Sequence, residues 1–353
     1  MTIEKIYNGP TVPEEDGMRT DAGKGSYEWW YFDSEGENGV KTSVVLLTKS
    51  FTNEVDKESH PTTWLDYAIP GEEPQRITLY EDEGAKFRGD PRKCNVKVKD
   101  CYARRNDQTG EYEVHFENDD CTVTFDFVIS PLCDMWRPGD GYFRFDANPE
   151  EYFAWFVAVP SGTTRGTLTV NGKSYDLKGT GYHDHNWGNI TPLKVFDHWY
   201  WCRAAVDDYT VISCDLIGSK RNNYQRLPVF FINNNVTHEI LSDESPVKIS
   251  RGETYIHEET GKFMDNLLTF QQTVGDTEWT VEYHREKDIL AKDLVSGPMS
   301  IIVKHKGLKP TYVRPIGTVK LTKQSPEGKK TYVNNGLWEQ MSFGNLKEAI
   351  ING

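Results

Sequence analysis

The stretch Gly179-Thr-Gly-Tyr-His-Asp-His-Asn-Trp-Gly188 holds more proton-handling groups than packing or turning requires. Read as an extended segment, its side chains alternate. Tyr182, Asp184 and Asn186 then share one face, and His183, His185 and Trp187 share the other. A phenol and a carboxylate two residues apart make a usable proton-transfer pair. The carboxylate can orient or deprotonate a water, and the phenol can donate or relay a proton. Partial desolvation of Asp184 raises its pKa toward neutrality and suits that work. The competing reading is a strand end whose polar groups satisfy neighbouring loops.

The same ten residues invite a metal reading. Two histidines at i, i+2 on a strand, His183 and His185, can chelate zinc or iron, with a further ligand from His198, Glu28 or Asp184. Asp184 falls on the opposite face of a regular strand, which weakens this alternative. The expectation is that the protein uses no metal and no cofactor. Other catalytic signatures are missing from the sequence. There is no Gly-x-Ser-x-Gly elbow, no Cys-x-x-Cys among the six cysteines, and no glycine-rich dinucleotide or phosphate fingerprint.

Three aromatic groups stand apart: Trp29-Trp30-Tyr31, then Phe153 with Trp155 and Phe156, then Trp199-Tyr200-Trp201. Neighbouring rings on a strand point to opposite sides, so one ring of each group lines a second surface. A cavity or cleft is the natural place for it, where rings stack on an unsaturated ligand or stabilise a developing cation. Asp184 and Tyr182 are expected to border one cavity with at least two of the named tryptophans.

The elements that must position these residues read as strands. In Val123-Thr-Phe-Asp-Phe127 apolar and polar residues alternate, and Asn171-Gly172 between two β-patterned runs is a strong hairpin signal. Helical periodicity is confined to two short stretches, 288–294 and 344–350, while strand patterns recur between turn signals, Ser300–Lys306 among them. An all-β protein follows. Residues 1–26 read as a polar lead-in. With 353 residues, two domains are the default, and Pro192 marks a break, giving 1–192 and 193–353.

A net charge of −14 opposes binding to nucleic acid or to an anionic membrane. No run of apolar residues is long enough to span a bilayer. No secretory h-region is evident, so a cytoplasmic protein with reduced, mostly buried thiols is expected.

Glu28-Trp29-Trp30-Tyr31-Phe32-Asp33, taken with Gly179-x-Gly-Tyr-His-Asp-His-Asn-Trp-Gly188, resembles the carotenoid hydratase (hydroxyneurosporene synthase) and AttH-like family. Fungal Diels–Alderases that form decalins and kievitone hydratase look like relatives of the same group. Glu339-Gln-Met-Ser-Phe-Gly344 resembles the closing strand of the Diels–Alderase branch. The resemblance implies two lipocalin-like β-barrel or β-sandwich domains packed against each other. It also implies cofactor-free chemistry on a hydrophobic, unsaturated small molecule (terpenoid, polyketide, carotenoid or flavonoid-like) in a pocket near the domain interface.

Carried onto this chain, the resemblance makes Tyr182, Asp184 and Trp155 the catalytic residues. Asp184 protonates an alkene or orients water, Tyr182 shares the proton network, and Trp155 stabilises cationic character. Glu28, Trp29, Trp30, Tyr31, Asn186, Trp187, Trp199 and Trp201 are the expected substrate-binding residues. Three functions stay open: a lyase or isomerase working by proton transfer at a C=C bond, a Diels–Alderase-type pericyclic cyclase that mainly folds its substrate, and a non-catalytic lipocalin-like carrier.

Overall fold

The computed structural model describes residues 9–49, 57–82, 84–294 and 309–344. The chain divides into two compact units. One comprises Met1–Arg144 with Glu151–Thr191, and the other comprises Phe145–Glu150 with Pro192–Gly353.

The first unit is built on β1 (Tyr27–Gly36), β2 (Lys41–Leu47), β3 (Thr62–Ala68), β4 (Gln75–Tyr80), β5 (Arg88–Gly89), β6 (Asn95–Val98), β7 (Cys101–Arg105), β8 (Tyr112–Glu117), β9 (Val123–Pro131), β10 (Tyr142–Phe145), β11 (Asn148–Val170), β12 (Lys173–Asp176) and β13 (Gly179–Gly188). They form one sheet in the order β4-β3-β2-β1-β13-β11-β9-β8-β7-β6-β5, with β10 and β12 also paired to β11. Strands from both ends of this order feed one apolar core, which unites Val44, Leu65 and Leu79 with Val96, Val98 and Ala103. The sheet therefore curls round its own interior. β13 sits near its middle, antiparallel to β1 on one side and to β11 on the other.

Local sequence explains much of this. Val123, Phe125 and Phe127 are buried while Asp126 is exposed, the alternation of a one-sided strand. Asn171 and Gly172 both adopt positive φ (51° and 80°) in the tight turn that joins Val170 to Lys173. Near the motif, a Cβ on Gly181 would stand 2.6 Å from the Asp33 carbonyl oxygen, so glycine lets β1 approach.

The second unit contains β14 (Phe196–Val206), β15 (Tyr209–Gly218), β16 (Arg226–Asn234), β17 (Glu239–Ile240), β18 (Val247–Ile256), β19 (Phe263–Val274), β20 (Thr277–Asp293), β21 (Thr311–Ser325) and β22 (Gly328–Ser342). Their order is β17-β16-β15-β14-β22-β21-β20-β19-β18, around a core that includes Tyr200, Val211, Phe230, Phe270, Val281 and Trp338.

Four expectations need correction or placement. Residues 288–293 are not helical but continue β20, where register shifts after Arg285 and Asp288 break the alternation that normally marks a strand. Residues 13–20 are not a loose lead-in. Pro13–Asp16 forms a 3₁₀ turn, and Glu15, Asp16, Arg19 and Thr20 are buried. The strand expected over Ser300–Lys306 and the helix expected beyond Gly344 lie outside the described residues.

Candidate active site

Strand parity sorts the central motif. His183, His185 and Trp187 turn toward the core: His183 stacks on Phe32 at 3.7 Å, His185 on Trp30 at 4.3 Å, and Trp187 belongs to the core itself. Tyr182, Asp184 and Asn186 occupy the other face and are all buried.

On that face a set of hydrogen bonds converges on one carboxylate. Asp184 Oδ2 accepts from the Tyr182 hydroxyl at 2.7 Å and from the Trp155 indole Nε1 at 2.8 Å. Asp184 Oδ1 accepts from the Asn186 amide at 2.8 Å. Trp155 reaches it from β11, where its backbone pairs with Asn186, and Val157 pairs with Asp184. Burial pushes the Asp184 carboxyl up to about 7, opposed by hydrogen bonds from Tyr182, Trp155 and Asn186 and by the nearby His183. The arrangement can therefore hold a proton on a dry carboxyl. It also presents three donors to the anion left when that proton departs.

β1 adds to the same face. Tyr31 is paired with Asp184 and Asp33 with Tyr182, and the Tyr31 and Tyr182 rings lie 6.2 Å apart. The Tyr31 hydroxyl donates to Asp33 Oδ2 at 3.2 Å. Trp29, across from Asn186, packs at 6.0 Å against Phe153. Trp136 meets Trp155 edge-on at 6.0 Å.

Glu28, Trp30 and Trp187 do not join this face. They were expected to bind substrate, but alternation along β1 and β13 turns them into the core. Glu28 accepts from Arg19 N (2.6 Å), Thr20 N and Thr20 Oγ1 (both 2.9 Å), and lies 2.8 Å from His185 Nε2. Its carboxylate thus clasps the N-terminal segment to β13. Trp199 and Trp201 lie on β14 of the second unit, where Trp199 packs edge-on against Phe196 and Phe343.

A cavity with room for about one water is lined by Trp155 and Trp187 beside the buried Glu15–Arg137 ion pair of 2.9 Å. Tyr182 and Asp184 do not line it, and it is far too small for a hydrophobic substrate.

Asp16, Asp33 and Trp136 went unnoticed in the sequence as site residues. Asp33 could have been found, because it stands two residues from Tyr31 as Asp184 does from Tyr182. Asp16 gives no local signal, since its partner His183 is 167 residues away. All six cysteines are free thiols, and only Cys121 is exposed. Among the described residues, no helix is long and apolar enough to cross a membrane.

Residues 129–248 match the profile of a Diels-Alderase-like family. A "hydroxyneurosporene dehydrogenase" from Chlorobaculum tepidum is 27% identical over 222 residues, covering 55% of this chain and 56% of the relative. The chain thus matches only about half the length of that curated relative. Among solved structures, an AttH from Nitrosomonas europaea superposes over 96% of this chain and 99% of its own, with a TM-score of 0.64 at 16% identity. Kievitone hydratase from Nectria haematococca does so over 94% and 93%, with a TM-score of 0.59 at 15% identity. The lipocalin-like, all-β architecture of two β domains is common to these folds. Motifs, sequence matches and fold agree in likening this chain to the AttH-like, carotenoid hydratase group and its Diels-Alderase-like relatives.

Proposed function

We propose that this protein is an enzyme acting on a hydrophobic, unsaturated small molecule by proton transfer at a C=C bond, as a hydratase or dehydratase. One observation carries the reading: the buried Asp184 carboxylate gathers side-chain donors from Tyr182, Trp155 and Asn186. In the hydration direction, protonated Asp184 gives its proton to one alkene carbon. The three donors stabilise the carboxylate that remains. The Trp155 ring stabilises positive charge on the other carbon, water adds there, and the surplus proton of the added water returns to the Asp184 carboxylate, giving the alcohol and restoring the acid. Dehydration runs the same steps backward. Trp29, Tyr31 and Asn186, on the same face, are the proposed substrate contacts. The names of the similar proteins, a kievitone hydratase and a hydroxyneurosporene dehydrogenase, support unsaturated hydrophobic substrates.

A second reading rests on the Diels-Alderase-like match over residues 129–248. In a pericyclic cyclase the same face shapes a polyene, and orientation supplies the rate. One experiment separates the two. Extract from a host lacking the gene is incubated with purified protein in H2 18O and followed by mass spectrometry. A hydratase yields a product carrying labelled oxygen, and Asp184→Asn abolishes it. An unlabelled isomer that Asp184→Asn still forms overturns proton transfer and leaves the cyclase.

A further inference from the structure

The core side of β13, opposite Asp184, carries a second cluster that the proposed reaction does not use. We propose that Asp16, Cys94, His183 and His185 form a buried structural site for one divalent transition metal of the zinc class.

The ligand-capable atoms of Asp16, Cys94 and His183 all lie within 4.8 Å of one another, and all three residues are buried. His183 Nε2 is 3.0 Å from Asp16 Oδ2, and His185 Nδ1 is 3.7 Å from Asp16 Oδ1. Three separate segments meet here. The 3₁₀ turn Pro13–Asp16 delivers the carboxylate and is held by the Trp30 indole, which donates to the Asp16 carbonyl at 3.0 Å. Cys94 immediately precedes β6, and the i, i+2 spacing on β13 sets both imidazoles on one side.

The orientation of the imidazoles is the stronger argument. His183 Nδ1 lies 2.9 Å from the Tyr31 carbonyl oxygen, and His185 Nε2 lies 2.8 Å from Glu28 Oε1. A carbonyl or an ionised carboxylate only accepts, so each of these outer nitrogens carries a hydrogen. The inner nitrogens, His183 Nε2 and His185 Nδ1, both turn to Asp16. Metal-bound histidines are held in this way, with the outer N–H anchored on a carbonyl or a carboxylate.

Two atoms at the focus are also unsatisfied. Among the described residues, Asp16 Oδ1 and His185 Nδ1 are buried and have no hydrogen-bond partner. At 3.7 Å they are too far apart to bond each other. Burying both unpaired is costly, and a cation between them satisfies both. The charge also fits. Asp16 and Glu28 are fully buried carboxylates beside the two imidazoles.

One thiolate, two imidazoles and one carboxylate select zinc, cobalt or iron over calcium or magnesium. Tetrahedral zinc places its ligand atoms about 3.3–3.7 Å apart, so Asp16, Cys94 and His183, now within 4.8 Å of one another, close by at most about 1.5 Å on binding, and His185 joins them from beside Asp16. The ligands first considered from sequence do not serve: Glu28 holds the outer nitrogen of His185, Asp184 faces away, and His198 lies in the second unit beside Asp197. Four protein ligands in a closed site leave no open position. The metal would brace the N-terminal turn against β13 from behind the Asp184 face.

The test needs no substrate. The full chain is purified after growth with added zinc, and also refolded from denaturant with Zn2+ or Co2+. About one metal ion per chain is expected, with a lower Tm after chelation and, with cobalt, a thiolate charge-transfer band that Cys94→Ser removes. Should that variant fail to fold, the metal content and Tm of the unaltered chain decide alone. Less than about a tenth of an equivalent in every preparation, with a Tm indifferent to metal, overturns the site. Nitrogen NMR would then find hydrogen on both ring nitrogens of His183, making the cluster an imidazolium–carboxylate pair.

Discussion

The Trp155 indole and the Asp184 carboxylate meet across two neighbouring strands at 2.8 Å, although 29 residues separate them in the chain. Trp155 thereby turns the donor edge of its indole to this carboxylate. Removing only the donor, as in Trp155→Phe, should cut turnover of the compound identified by oxygen labelling by roughly 10-fold, about 1.4 kcal/mol, the scale of a hydrogen bond to a charged acceptor. Asp184→Asn should cost roughly 10²–10⁴-fold, the usual weight of a general acid. The double variant should be no worse than Asp184→Asn alone, because both changes disable one unit. Additive losses in steady-state kinetics would show that Trp155 acts independently of Asp184.

Glu28 lends itself to a stability prediction because its four donors come from two distant segments. Arg19 N, Thr20 N and Thr20 Oγ1 belong to the N-terminal segment, and His185 to β13. Glu28→Gln keeps the shape but turns an NH2 group toward donors, leaving at least one of them buried and unpaired. A loss of about 3 kcal/mol in urea unfolding is expected. A loss under about 0.5 kcal/mol, the range of an ordinary surface change, would mean that the clasp does not hold the N-terminal segment.

These two sites differ in how far sequence reveals them. Alternation alone separated Tyr182, Asp184 and Asn186 from His183, His185 and Trp187, since a strand has a fixed period and the motif spans only ten residues. The same rule applied to β1 turns Glu28 and Trp30 inward and Trp29 and Tyr31 outward, but grouping 28–31 as one binding patch ignored it. Over 288–293 the strand alternation is not legible in the sequence because bulges shift the pattern there. The role of Asp16 was not legible at all. Its neighbours Pro13, Glu14, Glu15 and Gly17 have the composition of a solvated lead-in, and only the folded chain brings it to His183.

Glu111 should add stability that depends on pH. Its carboxylate accepts both ends of the Arg165 guanidinium, at 2.8 and 2.9 Å, and the Ser130 hydroxyl at 2.6 Å. Arg165 and then Ser130 pull its pKa down to about 2. A depressed folded pKa means that the contribution is full above the ordinary glutamate pKa of about 4.3. It is lost as pH falls toward 2. The Arg165 side chain is 57% exposed, so screening limits the gain to about 1 kcal/mol or less. Glu111→Gln should lower Tm slightly at pH 6, and the gap should close between pH 4.5 and 2. A gap that persists unchanged at pH 2 would rule out the ion pair as its source.

Thiol reactivity offers a check on the packing of both cores. Cys94, Cys101, Cys133, Cys202 and Cys214 are buried, and Cys121 is exposed. Burial pushes the Cys101 thiol up to about 11 and Cys133 to about 12, and it raises Cys94 and Cys202 well above the ordinary range. Since the thiolate is the reactive form, these groups are inert for two reasons: access and protonation. At pH 8 the native protein should give one fast equivalent with a disulfide reagent such as DTNB, and Cys121→Ser should remove it. In denaturant all six thiols should react. A second fast thiol in the native protein, mapped by mass spectrometry, would identify which core opens to solvent on the timescale of the assay.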